Sequence, residues 1–195
     1  MDAMFEQINN QVSKLADFTA HELAIFNQLL DHKLIPKKTI LLQEGEICNF
    51  EAFIVKGCIR TYYINENGFE VTLQFGIENW WASDMASFHE QTPSKVFIES
   101  LEDCDLLLLH HLTKDELLKQ VPKFERVFRI MVQRNLCATQ NRLIGSISKT
   151  AQEKYLEFIE KYPTIPQRVA QHYIASYLGI SAEFLSKVRA KLNKK

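Results

Sequence analysis

The sequence predicts an α+β protein: an N-terminal antiparallel barrel of the double-stranded β-helix (jelly-roll) kind, then one long helix, then a C-terminal pair of short helices. Three observations carry this. Short β-branched and aromatic runs divided by glycine turns recur from Pro36 to Leu109, the pattern of a barrel with many short strands. From Pro122 to about Ser148 the only helix breaker is Gly145. Between Val169 and Leu192, two amphipathic segments are joined at Gly179. The expected domains are residues 1–120, the barrel; 121–148, the long helix; and 149–195, the helical pair.

Phe5, Ile8, Val12 and Leu15 recur at helical spacing, and a second helix opens at Thr19-Ala-His-Glu22, a capping box, followed by Leu23, Phe26, Leu29 and Leu30. From Pro36 the character changes. Thr39–Leu42, Glu51–Val55, Cys58–Ile64, Phe69–Phe75 and Lys95–Ser100 read as strands, parted by Glu44-Gly-Glu46, Lys56-Gly57 and Asn67-Gly68. Asn67-Gly68 is the strongest hairpin signal and predicts a two-residue type I′ turn with positive φ at both positions. Leu106–Leu109 closes the barrel, and Thr113-Lys-Asp-Glu116 predicts a further capping box.

The long helix, roughly 40 Å at 1.5 Å per residue, repeats Val132, Leu136, Leu143 and Ile147 at four- and seven-residue steps. That spacing resembles a coiled-coil seam and predicts a homodimer, while Phe124, Val127 and Phe128 are expected to pack on the barrel. Lys149–Tyr162 is a further amphipathic helix, ended by Pro163-Thr-Ile-Pro166.

Composition bounds the function. With 195 residues, 46% of them hydrophobic, the chain can bury one sizeable core or a core with a small satellite. No run of about 18 uncharged apolar residues occurs and Met1–Lys14 carries no secretory segment, so a cytoplasmic protein without a membrane partner is expected. Cys48, Cys58, Cys104 and Cys137 have no metal-ligand spacing and read as reduced thiols; no metal is expected. His89, His110 and His111, the histidines expected in or beside the barrel, lack chelating spacing. No nucleophile, acid–base pair or phosphate loop stands out, so no catalytic residue, cofactor or enzyme activity is expected.

The C-terminal segment is more informative. Gly179 falls where a helix ends in a left-handed conformation, Ser181 can cap the next helix, and Ala175 permits close crossing. Ile174, Leu178, Leu185 and Val188 form the seam. Ala182, Glu183, Ser186, Lys187, Arg189 and Lys191 then face outward, a polar and mostly basic surface suited to a DNA major groove. The formal net charge is −1, yet from Thr164 onward Arg168, Lys187, Arg189, Lys191, Lys194 and Lys195 oppose only Glu183, the electrostatic footprint of a phosphate-binding module.

Barrel, long helix and helix-turn-helix in this order resemble the Crp/Fnr family of bacterial transcription regulators. Gln43-Glu-Gly-Glu46, Phe53-Ile-Val-Lys-Gly57 and Glu66-Asn-Gly-Phe-Glu70 match its barrel pattern, and Ile174, Gly179, Ser181, Glu183 and Val188 fall on its helix-turn-helix positions. The resemblance implies a sensor barrel, a dimerisation helix, binding to double-stranded DNA and a partnership with RNA polymerase. On it, Ser181 caps the recognition helix and meets phosphate, Glu183 accepts from a cytosine amino group, Lys187 reaches a guanine edge, and Arg189 and Lys191 hold the backbone. Ala182 stands where cyclic-AMP-responsive members place a base-reading arginine, which implies a different target site.

Two departures qualify this. Cyclic-nucleotide-binding members use a Gly-Glu pair on the ribose and an Arg-Ser/Thr pair on the phosphate; here Asn79–Lys95 has neither, and Ser94-Lys95 stands in the second position. Cyclic AMP is therefore not the expected effector. Trp80 and Trp81 are expected to fill that pocket or, with Ser94 and Lys95, to shape a site for another small molecule; the effector is unknown or absent. No cysteine precedes Cys48, which argues against an iron–sulfur sensor, and with the sequence stopping at Lys195 the phosphate contacts are expected from Lys191, Lys194, Lys195 and the helix N-terminus. The alternative is a cupin-like small-molecule-binding protein whose C-terminal helices are structural or bind a protein partner.

Overall fold

The chain begins with helices α1 (Ala3–Ser13) and α2 (Ala20–Gln28), then runs through β1 (Leu30–Ile35), β2 (Ile40–Leu42), β3 (Phe50–Lys56), β4 (Ile59–Ile64), β5 (Glu70–Gly76) and β6 (Trp81–Ala82). A short α3 (Met85–Glu90) precedes β7 (Phe97–Ser100) and β8 (Cys104–His110), after which everything is helical: α4 (His111–Gln120), α5 (Phe124–Ser148), α6 (Ala151–Lys161), α7 (Ile165–Arg168), α8 (Gln171–Leu178) and α9 (Ala182–Leu192). This computed structural model describes residues 3–192; Lys194 and Lys195 lie outside the described residues.

The described residues fall into two compact units. One comprises the chain up to Tyr63 with Phe75–Gln133, the other Ile64–Gln74 with the chain from Arg134 onward. In the first, β1-β8-β3-β6 form one four-stranded sheet in that order and β2-β7-β4 run side by side in the second, a jelly-roll-like sandwich. Alternation along each strand explains its core. Ala52, Ile54, Leu106 and Leu108 point between the sheets toward Leu42, Ile59 and Ile98, whereas Phe53, Leu107 and Leu109 point the other way, into a helical cover of Ile8, Val12, Phe26, Leu117, Phe124 and Val127. β8 is thus buried on both faces, which is why it reads as an unbroken leucine run. Phe124, Val127 and Phe128 pack here, where the sequence put them.

Two cations are buried with carboxylate partners in this unit, Arg60 with Glu99 at 2.7 Å and Lys114 with Glu51. Lys114 Nζ on α4 lies 2.7 Å from Glu51 Oε2 on β3, both almost wholly buried, and sits 4.1 Å from the Phe128 ring centroid. An interior lysine is stable only when so paired.

Several expectations need correction. The leucines closing the second helix belong partly to a strand: Leu30 starts β1, which pairs antiparallel with β8, so the barrel begins before Pro36. His32 thereby joins the barrel, its Nε2 2.7 Å from Asp105. The hairpin at Asn67-Gly68 is not type I′. Among the described non-glycine residues only Lys38, Asn79 and Gln91 have positive φ, while Gly68 has φ of 78°. Asn65 C=O accepts from Gly68 N–H, and Asn65 Oδ1 accepts from the amides of Asn67 and Phe69. The Asn65 side chain thus stabilises a wider turn in which glycine alone turns left-handed. The box at Thr19–Glu22 forms, but Thr113 sits inside α4, where its hydroxyl accepts from the His110 amide and donates to the His110 carbonyl.

In the second unit α6 starts with a capping box of Thr150 and Glu153. Its Tyr155 and Phe158 join Tyr162, Ile165, Ile174, Ala175, Leu178, Leu185 and Val188 in the buried core of this unit. The hairpin tip is tied to α8 through Ser176, whose hydroxyl accepts from the Thr72 amide and donates to the Glu70 carbonyl.

Candidate nucleic-acid interface

The turn between α8 and α9 follows from two residues. Gly179 ends α8 at φ 69°, ψ 36°, a left-handed position that an L side chain enters only at a cost, and the Ile180 amide donates back to the Ala175 carbonyl at 3.0 Å, closing the helix end. Ser181 then starts α9, its Oγ accepting from the Phe184 amide at 3.2 Å. Ala175 is buried at the crossing, with Ile174, Leu178, Leu185 and Val188 around it.

Burying Leu185 and Val188 determines what the rest of α9 presents. Ser181, Ala182, Glu183, Ser186, Lys187 and Lys191 are exposed, and Arg189 is half-buried at the margin. The structure therefore brings all seven predicted residues onto one helix and its cap, six of them facing solvent. The Glu183 carboxyl is held below the ordinary carboxylate range, first by its own backbone N–H and then by the Ser181 side chain, with Lys187 one turn on contributing charge. At neutral pH this end of the helix offers one fixed acceptor beside a cation. Sequence reasoning passed over Phe184, which stands 47% exposed beside them. Its signal was an aromatic residue between polar ones, one position outside the apolar seam.

The predicted seam residues lie along α5, a helix of 25 residues. Val132 is 45% exposed, Leu136 57%, Leu143 61% and Ile147 80%, and Ile144, which the spacing did not single out, is 61%. Apolar side chains in a row, uncovered by their own chain, call for a partner surface.

In the barrel, the four candidate pocket residues do not converge. The Trp81 ring packs on the helical side of its sheet, 5.5 Å from the Phe53 ring and 6.4 Å from Phe128. Trp80 is half-buried and gives its carbonyl to the Ile54 amide. Ser94 is buried, its hydroxyl donating to Asp84 Oδ2 at 2.7 Å, while Lys95 is exposed. Asp84 also caps α3, its Oδ1 accepting from the amides of Ala86 and Ser87 at 3.1 and 3.3 Å. The polar donors of this segment thus converge on a carboxylate of the chain itself. A second anion brought among them would meet repulsion, not a cation. Asp84 directly before a helical run was the legible signal for this cap.

By sequence, residues 32–121 match the family model of the cyclic nucleotide-binding domain. By structure, the chain superposes on the c-di-GMP-responsive global regulator CLP of Xanthomonas campestris with a TM-score of 0.73 and 15% identity, covering 90% of this chain and 92% of that one. FixK2 from Bradyrhizobium japonicum gives 0.72 and 16%, covering 85% of each chain. The chain has the fold of the Crp/Fnr regulators. A transcriptional regulator from Eubacterium rectale, assigned to the crp/fnr family, is covered over 88% of its length by 98% of this chain, with a TM-score of 0.68 and 17% identity. No curated protein matches the chain by sequence. Among the described residues no helix is long and apolar enough to cross a membrane, and the cysteines are free thiols, three buried and Cys137 exposed.

Proposed function

We propose that the chain is a DNA-binding transcription regulator of the Crp/Fnr type, a cytoplasmic homodimer whose effector is not cyclic AMP. The observation that supports this best is α9: its apolar face is buried by Leu185 and Val188, and its free face offers Glu183, Ser186, Lys187 and Lys191. On this reading α9 enters the major groove by its N-terminal half. Ser181 and the first amides of the helix meet phosphate, Glu183 accepts from a cytosine amino group, and Lys187 donates to a guanine edge. Ala182 and Phe184 supply apolar contacts suited to a thymine methyl, while Arg189 and Lys191 stay with the backbone. RNA polymerase is the expected partner of the bound dimer.

Dimerisation through Val132, Leu136, Leu143 and Ile147 supplies the symmetry. Two copies related by α5 would place their α9 helices in successive major grooves, about 34 Å apart on one face of the duplex. The capped, carboxylate-bearing segment at Asp84 supports the exclusion of cyclic AMP, since neither Ser94 nor Lys95 replaces the missing arginine. Sedimentation of the chain with a duplex selected from random sequence tests the reading. Two protomers on one two-fold-symmetric site are expected; a monomer on an asymmetric site would contradict it.

A further inference from the structure

The helical cover of the first unit holds one side chain that its surroundings do not satisfy. Asn9, midway along α1, is 5% exposed, and neither its Nδ2 nor its Oδ1 has a hydrogen-bond partner among the described residues. The other buried polar side chains of this unit are engaged. Glu51 meets Lys114, Arg60 meets Glu99 and Ser94 meets Asp84, while Ser87 and Ser100 donate to the carbonyls of Thr92 and Pro36. A buried carboxamide left unmatched opposes the docking of the helix that carries it.

Apolar contact alone holds α1 down. Ile8 and Val12 are buried with Phe26, Phe53, Phe124 and Val127, and Met4 and Phe5 pack against the same cluster. Among the described residues no hydrogen bond or ion pair joins residues 4–13 to another helix or strand. The tether lies just past the helix. Arg126 Nε on α5 donates to the Leu15 carbonyl at 2.9 Å, and the Phe18 ring stacks on Phe124 with centroids 4.5 Å apart. α1 is thus pinned beyond its C-terminal end and carries no polar tie along its length.

A helix of 11 residues does not hold its shape alone in water, so α1 is helical because it is docked. Ile8 and Val12 favour that docking and Asn9 opposes it, whereas β8 is locked by paired backbone to β1 on one side and β3 on the other. Elements without such ties open first. We propose that α1 is a detachable strap: it lifts from the barrel about residues 14–15 while the sheets stay folded, and Asn9 sets how often it does so. Opening uncovers Phe124 and Val127 at the base of α5, so the state of the strap reaches the long helix through a cluster that both helices share.

Hydrogen–deuterium exchange of the full chain without DNA, read by mass spectrometry, tests the strap apart from the regulator reading. Corrected for intrinsic rates, the amides of residues 4–13 should exchange at least about tenfold faster than those of β3 and β8. Asn9→Leu should slow exchange in α1 roughly tenfold or more and leave β3 and β8 unchanged, whereas Asn10→Leu, on the exposed side of the helix, should change either by less than about twofold. Protection of α1 equal to that of β8 in the parent would mean that the helix leaves only when the barrel unfolds, and would overturn the proposal whatever the variants do. Equal or faster exchange of α1 in Asn9→Leu would also overturn it, by showing that the carboxamide is satisfied where it lies.

Discussion

Two glycine-to-alanine substitutions, one turn of sequence chemistry applied at two places, should move the stability of the second unit in opposite directions. At Gly179 an added Cβ would meet nothing within 4 Å, so packing plays no part. The whole effect is the left-handed backbone at φ 69°, which costs an L residue about 1–2 kcal/mol. At Gly145, inside α5, the added Cβ would meet Lys149 Cδ at 3.5 Å and Glu157 Oε2 at 3.8 Å, ordinary contact distances, on helical backbone. There alanine gains roughly 0.5–1 kcal/mol from helix propensity. The two variants should therefore differ by about 2 kcal/mol, read as urea midpoints displaced to either side of the parent in far-ultraviolet circular dichroism. Gly179→Asn should lose less than Gly179→Ala, because asparagine tolerates the left-handed region better. A urea midpoint for Gly179→Ala equal to or above that of the parent would refute the assignment of Gly179 as an obligatory left-handed helix end.

Other outcomes follow from the same geometry. Val132→Glu with Leu143→Glu should dissociate the proposed dimer while leaving the barrel folded, since both side chains are exposed in the single chain; light scattering and circular dichroism decide, and unfolding would place these residues in a core instead. Calorimetry with cyclic AMP should show no binding at micromolar concentration, and tight binding would mean that the Asp84 cap opens to admit a phosphate. Glu51→Ala should cost about 3–5 kcal/mol by leaving the buried Lys114 ammonium unpaired, and Glu51→Leu combined with Lys114→Met should recover most of it in urea denaturation.

What the sequence made legible were the features built from near neighbours. Gly179, Ser181 and the seam of Ile174, Leu178, Leu185 and Val188 lie within fifteen residues, so local geometry alone specifies the turn, the cap and the outward face. The doubly buried β8 was legible as an apolar run. Strand β1 was not, because Asp31, His32 and Lys33 make its centre polar and only Leu30 is buried, while β6 has two residues and offers no periodicity. The hairpin was placed correctly but its turn was not, since the choice lay with the Asn65 side chain rather than with Asn67-Gly68. Pairs distant in sequence, such as Lys114 with Glu51 and Ser176 with Thr72, leave no local trace. The four barrel pocket candidates were chosen by sequence position, and tertiary packing sent their side chains to different surroundings.

The central claim is that α9 reads DNA with Lys187 near the bases and Lys191 near the backbone, both being exposed on the same helix. Affinities of Lys187→Ala and Lys191→Ala for a selected duplex and for its scrambled counterpart, measured across a salt titration, test it most directly. Loss of Lys187 should cost about 1–3 kcal/mol on the selected duplex and relax preference at one base pair, whereas loss of Lys191 should weaken both duplexes alike and lower the salt slope by about one. Equal losses for the two variants on both duplexes at every salt concentration would contradict this docking of α9.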